Sequence, residues 1–176
     1  MYFLRSILFV SLAISTVASP TPSRKRADLL QAQDYSQFQV SDGVAGNALE
    51  EVSQKFPIDQ FRANLAGVSE NDLAILKAAR EVAEDAETGT GGFNDAIDQV
   101  GEDSDDGKAL QAGKIKNKVL KLELEVLALQ IEQAQGDGDQ AKIDEEQTKL
   151  NNNIATDKAS AGDQSQSVNF VGSSQP

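Results

Sequence analysis

The chain has 176 residues, 28 of them acidic against 16 basic, with a formal net charge of −12. Binding phosphate needs concentrated Lys and Arg, so this balance argues against nucleic acid and anionic lipid as partners. There is no His and no Cys, which excludes the usual acyl-transfer triads, thiol catalysis and imidazole-based zinc sites and leaves the fold without disulfides.

At the start, Arg5 flanks an apolar run from Ser6 to Val17, and Thr16 and Ala18 are the small residues that signal peptidase reads. Together they predict a secretory signal peptide over residues 1–18, cut after Ala18. A run of about twelve apolar residues is too short for a ~30 Å hydrocarbon core, so no transmembrane segment is expected. Residues 19–26 read as a propeptide ending in the dibasic pair Lys25–Arg26, which kexin-type proteases cut. The alternative is an ordinary basic flank. Residues 1–26 hold Arg5, Arg24, Lys25 and Arg26 and no acids, so their removal takes the net charge to −16. No Asn-x-Ser/Thr sequon occurs, and any glycan is expected to be O-linked.

Residues 27–161 read as one all-α domain, a bundle of about four to six helices. From Ala27 to Val40, Leu29, Leu30, Tyr35 and Phe38 are apolar anchors for a short helix or a docked arm. Ser41 or Asp42 then reads as the cap of a helix running to about Phe56, before Pro57, with Ala45, Ala48, Leu49, Val52 and Phe56 on one face. Gly43 and Gly46 leave room for another backbone. Ile58, Phe61 and Leu65 fit a short helical turn. Ser69 with Asp72 resembles a capping box opening a helix to about Glu87, with Leu73, Leu76, Ala79, Ala83 and Ala86 inward. Phe93 to Val100 is a further short helix.

Lys114 to Gln135 is the most apolar stretch after the leader and holds no Gly or Pro. Val119, Leu122, Val126 and Leu129 form one series at helical spacing; Leu120, Leu124, Leu127 and Ile131 form a second. Two stripes predict a central helix with neighbours on more than one side, starting near Asp106. Leu120, Leu122, Leu124 and Val126 also alternate with charged residues, a strand pattern, but the unbroken length favours helix. Gly136–Asp139 is a turn, and Gln140 to about Ala161 folds back as an antiparallel partner carrying Ile143, Leu150 and Ile154. Residues 162–176, rich in Ser and Gln, read as a disordered tail in which Val168, Phe170 and Val171 are the residues able to dock.

Carboxylate-only chemistry survives the missing residue types, since two acids suffice for glycoside hydrolysis. Pairs such as Glu50–Glu51 read instead as solvated helix surface. The loop Glu102–Gly107 invites a calcium reading, but an EF-hand register puts Gly113 where the bidentate Glu belongs, and Asp137/Asp139 put Lys142 at the glycine position. Gly89–Gly92 does not match a phosphate loop. No catalytic, metal or cofactor residues are therefore assigned; Ala18, Lys25 and Arg26 remain as processing sites. Lys114, Lys116, Lys118 and Lys121 read as cations that neutralise acidic neighbours, including Glu132 and the last helix, while their stems cover apolar surface.

DYSQFQVSDGVAGNALEEV (34–52), Phe56–Pro57, SENDLAILKAAREVAEDAETG (69–89) and the KIKNKVLKLELEVLALQIE segment together resemble small secreted proteins of filamentous ascomycete fungi. The resemblance spans most of the chain after the leader and rests on overall pattern, without a catalytic motif. It implies a protein of the extracellular space or cell wall, with the conidial (spore) surface as one location. The missing eight-cysteine pattern separates it from hydrophobins. The expected function is non-enzymatic: a secreted or wall-associated protein masking or supporting the wall, with cell-wall polysaccharide or a host protein as partner. The alternatives are an effector-like binding module acting on a host protein, a small hydrophobic-ligand carrier and, last, a carboxylate hydrolase.

Overall fold

The computed structural model describes residues 27–176, so the processing residues Ala18, Lys25 and Arg26 lie outside the described residues. The architecture is an all-α bundle: α1 (Tyr35–Phe38), α2 (Ala48–Lys55), α3 (Ile58–Arg62), α4 (Glu70–Thr88), α5 (Phe93–Val100), α6 (Asp105–Gln135) and α7 (Gln140–Ala159). Two two-residue strands, β1 (Gly43–Val44) and β2 (Gln164–Ser165), pair antiparallel beside it.

α6 is the axis. Its two apolar stripes face different neighbours, as their spacing predicts. Leu120, Leu124, Leu127 and Ile131 pack against Leu76, Ala79, Ala83 and Ala86 of α4 in a core closed by Tyr35, Phe38, Phe56 and Phe61. Val119, Leu122 and Val126 face Leu150 and Ile154 of α7, with Ala48 of α2 completing the cluster. A smaller cluster joins Phe93 and Ile97 of α5 to Leu110. Each fully buried aliphatic side chain contributes about 1.5–3 kcal/mol, so burial on both flanks outweighs the strand-like alternation within the same residues.

The helix ends follow local chemistry. The Ser69 hydroxyl accepts Asp72 N–H and the Ser104 hydroxyl accepts Gly107 N–H, setting the starts of α4 and α6. α6 therefore begins at Asp105, one residue before the position expected. Gly136, in the left-handed region at φ 108°, stops it, and Asp139 caps α7 through Lys142 N–H.

Four expectations are corrected. The helix expected from Ser41 or Asp42 begins at Ala48, because Gly43 and Gly46 adopt φ of 90° and 113°, which a helix does not accommodate. At Gly46 the chain passes so close to Ala161 that a Cβ would sit 2.6 Å from Ala161 Cβ. The Ser69/Asp72 capping box is one-sided. Asp72 does not reach back to Ser69; it is buried and accepts the N–H groups of Leu29 (2.9 Å) and Leu30 (2.8 Å), anchoring the N-terminal arm.

The tail is not disordered. Gln166 N–H donates to Ala109 O (3.0 Å), Tyr35 N–H to Gly172 O (2.8 Å) and Ser174 N–H to Gln33 O (2.9 Å). Val168 and Phe170 pack onto the core, with Phe170 edge-on to Tyr35 at 5.9 Å, while Val171 points to solvent. Two apolar side chains spaced two apart anchor an extended strap whose polar composition only describes its outer face.

The lysine cluster, finally, does not reach Glu132 or α7. Lys118 and Lys121 pair with Glu87 (3.2 and 2.8 Å), Lys121 also with Glu84 (2.6 Å), and Glu132 is taken by Lys77. Lys116 is wholly buried, donating to Asp42 O and Val44 O and pairing with Glu51 at 2.8 Å. Glu51 is thereby a half-buried ion-pair partner, whereas Glu50 is exposed surface.

Candidate functional site

α6 has 31 residues and α7 has 20, about 46 Å against about 30 Å. Because the two run antiparallel from the Gly136 turn, α7 ends before α6 does. The α6 face that α7 covers carries Val119, Leu122 and Val126. Continued towards the N-terminus at the same helical spacing, that face passes through Ile115, Ala112, Lys108/Ala109 and Asp105. These residues line an open groove of about 770 Å³. Its other wall is the last turn of α7, with Thr156 and Ser160, and the start of the tail, with Asp163 and Gln164.

The groove is therefore a stretch of the α7 berth that α7 does not fill. Small side chains make its floor and polar groups its rim. Both ends are held by the fold: Asp157 of α7 accepts backbone N–H from Gly46 and Ala48, and the tail backbone bonds to Ala45 and Ala109.

The charges divide unevenly. Along α6 and α7 the glutamates find cations: Arg62–Glu123 (2.7 Å), Arg80–Glu125 (2.9 Å) and Lys142–Glu146 (2.6 Å) extend the pairs already described. Burial acts to raise the Glu87 carboxyl, but Lys121 and Lys118 outweigh it and hold the group below its ordinary value. Glu123 is the opposite case. Its burial, only partly offset by Arg62, pushes it above the carboxylate range. At the groove, by contrast, the side chains of Asp105 and Asp163 make no hydrogen bond or ion pair among the described residues, and Asp106, Asp103 and Glu102, next to Asp105 in the chain, are in the same condition. Lys108 is the one cation of the groove lining.

Of the acidic loop Glu102–Gly107, Asp105 lines the groove. Among the described residues no three acids converge as a metal-binding group, and no helix is long and apolar enough to cross a membrane. Sequence reasoning missed the groove, although the signal was present. The inward stripe of α6 extends back to Asp105, whereas the α7 pattern stops eleven residues short of matching it.

Fold and groove define an acidic, cysteine-free helical domain with a partly covered central helix. The chain belongs to the family described as "Domain of unknown function (DUF8454)", whose model matches residues 30–169, from the Asp72-anchored arm through the tail strap. No curated protein and no solved structure matches the chain.

Proposed function

We propose that this is an exported, non-enzymatic protein of the extracellular space or cell wall, processed at Ala18 and again after Lys25–Arg26. The observation that supports it is the boundary between leader and fold. Residues 27 and 28 are exposed, and the first anchored groups among the described residues are the N–H groups of Leu29 and Leu30 on Asp72. A cut after Arg26 therefore leaves every anchor among the described residues intact. The resemblance to small secreted fungal proteins points to the wall, and the spore surface within it, as the destination. Recovery from culture medium and spore-wall fractions, with N-terminal sequencing, tests the reading. Ala27 as first residue of an extracellular protein is expected; a wholly intracellular protein beginning at Met1 overturns it.

A binding role is the second reading, favoured by the groove beyond α7. It offers a preformed small-residue floor with hydrogen-bonding and charged groups at its rim, the composition of a recognition surface.

A further inference from the structure

We infer that the uncovered part of the α7 berth is a docking site for a short, basic amphipathic helix of another protein. The inference rests on the binding reading above and extends it by naming the partner's chemistry. Three observations carry it.

The first is shape. The groove is lined by the same face of α6 that already holds a helix. Residues 105–115 present three turns of it, about 15 Å long. Ala109 and Ala112 lie where larger side chains would keep a second helix axis away. A groove shaped by one helix accepts another in the same packing mode, its ridges seated between Ala112, Ile115 and Ser160.

The second is charge. Asp105 and Asp163 line the groove without a cation among the described residues, Asp106, Asp103 and Glu102 lie next to Asp105 in the chain in the same condition, and Lys108 is the one cation of the lining. Lys and Arg on the flanks of the incoming helix would meet these carboxylates while its small apolar stripe meets the alanine floor. Such charges steer encounter and select among partners more than they add affinity.

The third is what the charge excludes. A second copy of this chain carries −12 itself, so copies repel. The strap and the end of α7 occupy the adjoining surface, so no described segment of the chain is free to fill the berth.

Fluorescence anisotropy with a labelled Leu/Lys amphipathic peptide of about 14 residues, with its Leu/Glu counterpart and soluble chitosan oligomers in parallel, tests the assignment. Saturable binding of the Leu/Lys peptide alone is expected. Filling the floor with Ala112→Trp should weaken it about tenfold or more, as for a central contact position. Asp105→Asn with Asp163→Asn should weaken it roughly threefold and flatten its salt dependence. Asp137→Asn, in the remote turn between α6 and α7, should leave it unchanged.

If Ala112→Trp does not fold, amide shift mapping on the unsubstituted protein replaces it, with changes expected at Ala109, Ala112, Ile115 and Ser160. Four results would overturn the assignment: no saturable peptide binding, equal loss with Asp137→Asn, shifts away from those residues, or tighter binding of chitosan than of peptide. Each is read on purified protein, so failure here is separate from a failure of export.

Discussion

Asp157 caps a helix to which it does not belong. Its carboxylate, near the end of α7, accepts the N–H of Ala48 at 2.9 Å and that of Gly46 at 2.9 Å, at the start of α2. Asn47, the residue at the cap position, makes no side-chain cap bond. One buried acid thus ties the last helix to the second and closes one end of the groove. Asp157→Ala leaves two backbone donors without an acceptor and should cost about 2–3 kcal/mol in urea unfolding, whereas Asp157→Asn, keeping one carbonyl acceptor, should cost about 1 kcal/mol. Equal costs would mean that the single acceptor kept by asparagine contributes nothing.

Arg62 and Glu123 form a lopsided pair: the arginine side chain is 42% exposed and the carboxylate 2%. Removing Arg62 strands a buried charge, so Arg62→Ala should destabilise by about 2 kcal/mol, less than for a fully buried pair because solvent reaches the guanidinium site. Glu123→Gln keeps an acceptor for Arg62 and removes the burial cost of the charge. Its stability at neutral pH should lie within about 1 kcal/mol of the parent. Chemical denaturation of both variants decides; the reverse order of costs would sink the argument.

The tail strap crosses α6 at Gly113, where an added methyl would run into the Gln166 carbonyl. Replacing a mid-helix glycine by alanine ordinarily stabilises by about 0.5–1 kcal/mol. Here the sign should invert, because the methyl lifts the strap from the helix. Gly113→Ala should lower the melting temperature and expose residues 164–174 to hydrogen exchange. Phe170→Ala should reproduce the exchange phenotype at a cost of about 1–2 kcal/mol, as for a half-buried aromatic. An unchanged exchange pattern in both would show that the strap does not need these contacts.

The pH profile has two limbs. Glu87, held below its ordinary value of 4.5, contributes stability that is complete above that pH and lost as the pH falls through its folded value. Glu123 opposes this loss, because a carboxyl raised in the folded state takes up its proton there more readily. Glu87→Gln should therefore flatten the acid limb, and Glu123→Gln should steepen it. On the alkaline side, burial pushes the Tyr35 phenol from 10.0 up to about 12, so the unfolded chain ionises first and stability falls between those values. Its hydroxyl donates to Asn117 Oδ1 at 2.8 Å. Tyr35→Phe should soften the alkaline limb and cost about 1–2 kcal/mol at neutral pH through the orphaned Asn117 oxygen. Melting curves from pH 3 to 12 measure both limbs.

The local pattern settled what lies within reach of a few residues. Helical spacing marked both stripes of α6, and Gly136 with Asp139 marked the turn into α7. Ser69 opened α4, and Phe93 and Val100 bounded α5. All of these depend on residues three or four apart, or on a cap beside its helix, so the sequence carried them without knowledge of the fold. Tertiary structure decided the rest. Asp72 bonds the arm 43 residues away and Asp157 caps a helix 109 residues away; the strap docks because α6 offers Gly113; and Lys116 is buried because two backbone carbonyls and Glu51 converge on it. The groove is a difference in length between two antiparallel helices; the lengths were in the sequence, but the uncovered face takes shape only when the helices lie side by side. Free energy gained from pairing distant groups has no signature in the spacing of near ones, which is why the frame was legible and the site was not.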